Sequence, residues 1–96
     1  MKLKHLFLFL ILSLSQSVYS NQRITGLIVD KSTGEELPYV TVSLLKSDST
    51  LISTVVSRHS DQYQYVNGTF MMDSPGKGNY ILRCSLLGYV TTYKKI

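Results

Sequence analysis

Residues 24–45, ITGLIVDKSTGEELPYVTVSLL, constrain the fold more than any other stretch of the chain. Two runs rich in β-branched residues flank a polar segment that holds Gly34 and ends at Leu37-Pro38. β-Branched side chains fit a pleated, half-buried surface, and Gly supplies the positive φ that a tight connection needs. The stretch predicts strand, turn, strand, over 24–29 and 39–45. Pro38 stands at the entry of the second strand, where a missing N–H is tolerated. In that strand Val40, Val42 and Leu44 are expected to face a core, with Thr41 and Ser43 outward.

The same grammar continues downstream. A polar turn over 46–50 leads to a strand over 51–57. Asn67-Gly68 is a strong turn signal before a strand over 69–73. In 80–86, Tyr80, Leu82, Cys84 and Leu86 alternate with Ile81, Arg83 and Ser85, the cleanest period-two run in the chain. Gly88-Tyr89 interrupts it, and a last strand is expected over 90–93. Tyr80 follows a loop and opens a strand, as a tyrosine corner does, with its hydroxyl bonding backbone across the loop. A half-buried aromatic without that role is the alternative. Six short strands with no helical period predict an antiparallel sandwich.

Residues 1–20 differ in kind. Lys2, Lys4 and His5 are followed by an apolar run over 6–14 that only Ser13 interrupts. Val18 and Ser20 then fit the small-residue positions before a cleavage site. This order of basic, apolar and small residues is that of a secretory signal peptide. The run is too short for a spanning helix, which needs roughly 20 apolar residues. The expected organisation is a signal-peptide helix over 1–20 and one domain over 21–96, exported.

A domain of this size buries only about 60% of its unfolded surface. Eight basic and six acidic residues over 21–96 leave a net charge of +2, scattered rather than striped, which argues against nucleic acid. Cys84 is the one cysteine, so no internal disulfide can form. A small exported domain without disulfides usually leans on a larger assembly.

Several short motifs occur in a telling order. Ile24-x-Gly26-x-Ile28-x-Asp30, Thr33-Gly34-Glu35 and Leu37-Pro38-x-Val40-x-Val42 come first. Gly68-x-Phe70, Gly78-x-Tyr80-x-Leu82 and Ser85-x-x-Gly88-Tyr89 follow. Together they resemble the carboxypeptidase-regulatory-like domain, over nearly all of 24–96. The resemblance implies an all-β, small antiparallel Greek-key sandwich of the transthyretin (prealbumin-like) kind. Residues 44–51, LLKSDSTL, are similar to the version at the N-terminus of outer-membrane β-barrel proteins and TonB-dependent receptors of Gram-negative bacteria. That version implies a periplasmic or outer-membrane location and a protein partner there. Two departures stand out. Residues 58–66 look like an insertion before Gly68, and the family continues past the position of Ile96 into one more strand. A missing strand would leave an open edge able to self-associate, with Lys94 and Lys95 discouraging it.

The residues themselves specify no chemistry. His59 has no Glu or second His at zinc-ligand spacing after residue 20, and nothing marks a nucleophile elbow. Asp30, Glu35, Glu36, Asp48 and Asp61 fall in different turns without calcium-loop spacing. Cys84 reads as a small buried hydrophobe. No catalytic, metal or cofactor site is expected, and the chain reads as non-enzymatic. His59, Tyr63 and Tyr65 form a candidate contact patch for a protein or a surface glycan, because exposed aromatics are enriched at binding surfaces. Two functions follow: an interaction module preceding a receptor barrel, or an independent secreted adhesive or carbohydrate-binding module.

Overall fold

The computed structural model describes residues 4–13, 23–60 and 66–96, and every regular element in them is a β-strand. In chain order these are β1 (Lys4–Ser13), β2 (Arg23–Asp30), β3 (Thr41–Lys46), β4 (Leu51–Val56), β5 (Thr69–Asp73), β6 (Tyr80–Ser85), β7 (Tyr89–Val90) and β8 (Thr92–Lys95). They form two four-stranded sheets, β5-β2-β1-β7 and β4-β3-β6-β8. All pairings are antiparallel except the short parallel contact of β1 with β7.

One core lies between the sheets. Leu6, Ile24, Ile28, Phe70 and Met72 enter it from the first sheet, and Val42, Leu44, Leu82 and Cys84 from the second. The alternation expected in 80–86 holds: Leu82 and Cys84 are buried, while Ile81, Arg83 and Ser85 are half-exposed. Burial of Cys84 pushes its thiol up to about 11, as expected of a small core residue. Val40, Val42 and Leu44 face inward as the pattern requires. Ser43, expected to face outward, lies outside the core cluster yet is buried. It sits mid-sheet between Thr54 and Arg83, and its hydroxyl lies 3.2 Å from that of Thr54.

Two elements differ from the sequence expectation. The apolar segment expected to be a helix ahead of the domain is strand β1, paired along β2 from Leu6↔Asp30 to Ser13↔Arg23. An unbroken apolar run carries no period that separates a buried strand from a helix, and the flank of β2 offers it a complete hydrogen-bond ladder. The single strand expected over 90–93 is divided at Thr91. β7 joins the first sheet through β1, and β8 joins the second through β6. The signal-peptide cleavage site at 18–20 lies outside the described residues.

Candidate functional site

The connections at one end of the sandwich are built around two residues, Ser57 and Gly68. Leu37, Pro38, Tyr39 and Val40 form a turn in which Pro38 presets φ and Tyr39 takes φ 65°. The buried Ser57 hydroxyl is inserted into this turn. It donates to the Leu37 carbonyl and accepts from Val40 N–H, each at 2.8 Å. Tyr39 N–H donates to the Ser57 carbonyl and Ser57 N–H to the Val40 carbonyl. Gly68 packs beside this junction with φ 84°, donating its N–H to Arg58 and accepting from Ile28 N–H. Asn67 accepts from Ser60 N–H at 3.1 Å, so the Asn67-Gly68 turn fastens the chain after β4 to the β2–β3 connection.

This scaffold places Tyr39 outward. Its side chain is 57% exposed and its ring stacks on His59, with centroids 5.5 Å apart and planes 11° from parallel. A bulky residue in the left-handed region costs roughly 1–2 kcal/mol. Tyr39 adds little core area in return, and the hydrogen bonds of Ser57 to the turn hold it in this conformation. Of the candidate patch residues, His59 is half-buried with Tyr39 stacked against it. Tyr63 and Tyr65 lie outside the described residues. The sequence pattern makes Tyr39 the first residue of a strand, and the structure makes it a turn residue. The signal that would have found it is Leu37-Pro38-Tyr39, since a Pro at the second turn position asks the next residue for positive φ in a type II turn.

A second polar centre ties the end of β2 to the loop after it and to β7. Asp30 ends β2, is buried, and accepts at one carboxylate oxygen from Ser32 N–H, Ser32 Oγ and Thr33 N–H at 2.9, 2.7 and 3.2 Å. Tyr89 Oη donates to the other oxygen at 2.8 Å. The Ser32 hydroxyl foremost, then that of Tyr89, hold the carboxyl well below the usual carboxylate range against the opposing effect of burial. With both oxygens engaged by protein donors, Asp30 is a weak base and a structural anion.

A depressed folded-state pKa stabilises the fold above the unfolded value and is lost as pH falls through the folded one. The contribution of Asp30 is thus present at neutral pH and lost progressively below about pH 4. Asp48, lowered by its hydrogen bonds from Thr50, acts in the same direction. Asp30→Asn is expected to flatten, without abolishing, the fall of melting temperature between pH 4 and pH 2. An acid limb identical to wild type, measured by thermal unfolding across that range, would show that Asp30 is not held as described.

Elsewhere, Tyr80 Oη donates to the Lys77 carbonyl at 3.3 Å, the backbone bond across the loop that a tyrosine corner makes. An open cleft of about 500 Å³ lies between the edge strands β4 and β5, lined by Arg23, Ile52, Val55, Met71 and Asp73. Ser53 Oγ is buried beside it without a hydrogen-bond partner. Sheet edges distant in sequence make this cleft, so no local pattern announces it. Among the described residues no three His, Cys, Asp or Glu side chains converge as a metal site would require. No protein-family model, curated protein or solved structure matches this chain.

Proposed function

We propose that the chain is an exported, non-enzymatic β-sandwich interaction module of the carboxypeptidase-regulatory-like, transthyretin-like Greek-key kind. In this reading it belongs to the periplasmic side of an outer-membrane receptor system of the TonB-dependent type and contacts a protein partner there. The observation that carries the reading is the Tyr39–His59 stack, an exposed aromatic surface held in a strained backbone conformation by a buried hydrogen-bond network. Amphipathic rings on a rigid support give contact area at low entropic cost, which is why aromatics gather at interfaces.

A photo-crosslinking amino acid at position 59 tests it in cells that export the chain. A discrete adduct with an envelope protein is expected from position 59 and not from position 94, on the edge strand β8. Equal yields from both positions would contradict the reading. Adducts with glycan alone would favour the independent carbohydrate-binding module.

A further inference from the structure

The place occupied by β1 has unusual walls. β1 lies inside its sheet, antiparallel to β2 along eight register pairs and parallel to β7 at Lys4↔Tyr89 and His5↔Val90. Leu6 is 4% exposed and belongs to the core. Lys4 N–H donates to the Gly88 carbonyl, and the Lys4 ammonium sits 5.9 Å from the centroid of the Tyr89 ring. The two walls are also tied to each other without β1, because Tyr89 Oη on β7 donates to the Asp30 carboxylate on β2. Withdrawing β1 would therefore leave a groove closed by β7 at its Lys4–His5 end and running on as the open edge of β2.

The residues in this groove carry the basic and apolar parts of the export-leader order read from the sequence. Resting on the proposal of export and cleavage, we infer that the place of β1 is a strand-acceptor groove. In the exported domain it takes an extended apolar strand from another polypeptide, added antiparallel to β2. The seated segment defines the chemistry of that strand. Residues 6–12 are Leu, Phe or Ile throughout, with no proline, glycine or acid, and a cation precedes them. A strand of this kind satisfies the N–H and C=O groups along one side of β2 and restores apolar cover where Leu6 now sits. Pairing of two copies edge to edge along β2 supplies the first and not the second, because β7 occupies the end next to Leu6.

The experiment uses the full chain, folded, with a protease site placed within residues 14–22 and then cut. A labelled peptide of the sequence of residues 4–13, with added terminal lysines for solubility, competes for the groove. The comparison peptide carries Phe9→Pro and Ile11→Pro, at the register positions whose N–H groups face β2, since Lys4 N–H is turned to the β7 side and Ile28 N–H away from β1. The native peptide is expected to exchange in and to bind at least ten-fold more tightly than the proline peptide. Amide hydrogen exchange over β2 is expected to be slow whenever the groove is filled. If cutting releases the leader and the remainder unfolds, excess native peptide is expected to restore that protection. Equal binding of both peptides, failure to restore protection, or a cut chain that dimerises and excludes the peptide would overturn the groove. The exchange is measured on purified chain and does not depend on export. Mass spectrometry of the exported product's N-terminus reports separately on cleavage. Retention of Met1 would remove donation by a partner while leaving the peptide result standing.

Discussion

Gly68→Ala is expected to abolish most of the cooperative unfolding transition. A methyl group at this position would lie 2.8 Å from the Ile28 carbonyl oxygen and 3.0 Å from Leu37 N. These two atoms are already hydrogen-bonded to each other at 2.9 Å, so neither can retreat alone. The φ of 84° adds the cost of a left-handed conformation, roughly 1–2 kcal/mol for a residue with a Cβ. Moving the strand end aside would also strain the bonds from Ile28 N–H to Gly68 and from Gly68 N–H to Arg58. Each bond lost in a buried setting costs roughly 1–3 kcal/mol. With one of these bonds lost the total is about 2–5 kcal/mol, a large part of what a small domain has. Urea unfolding followed by circular dichroism measures this directly. A midpoint within experimental error of wild type would mean that the Asn67-Gly68 junction is not packed against β2 as described.

Ser57→Ala is the second large effect, and its mechanism is polar. The hydroxyl is the common partner of the Leu37 carbonyl and Val40 N–H, and it is fully enclosed. Alanine fits the space and leaves both backbone groups without that partner. Two unsatisfied buried groups at roughly 1–3 kcal/mol each give an expected loss of about 2–6 kcal/mol. Ser43→Ala is the internal comparison. Ser43 is equally buried, yet its hydroxyl has only the hydroxyl–hydroxyl contact with Thr54 among the bonds described, so about 1 kcal/mol is expected. Equal losses in the two variants would show that Ser57 is not the bridge within the Tyr39 turn.

Much of the strand pattern was legible because period two is a local signal. Tyr80 to Ser85 alternate as a strand half in a core must, and β2, β3, β4 and β5 fall within a few residues of their expected spans. Gly34 takes the positive φ, 73°, that its polar connection asked for. What was not legible depends on partners remote in sequence. Within β1, residues 6–12 are apolar at every position, so only the flank of β2 decides that they form a strand. The division at Thr91 follows from two different sheets claiming Tyr89–Val90 and Thr92–Lys95. Of the candidate patch, His59 was visible as a polar aromatic in an insertion. Its companion Tyr39 was hidden, because a β-branched neighbourhood reads as strand and conceals a turn residue. The Asp30–Tyr89 bond joins positions 59 residues apart, and no spacing rule connects them.

The Tyr39–His59 surface is held to exist for contact rather than for stability, and one variant separates the two. Tyr39→Gly removes the ring and relieves the left-handed backbone cost in a single step. Thermal unfolding and position-59 crosslinking, both on that variant, are the decisive pair of readings from one measurement series. The account predicts a melting temperature equal to or above wild type, corresponding to a gain of up to about 1 kcal/mol, together with loss of the envelope adduct. A lower melting temperature with the adduct intact would make Tyr39 a structural residue and contradict the account.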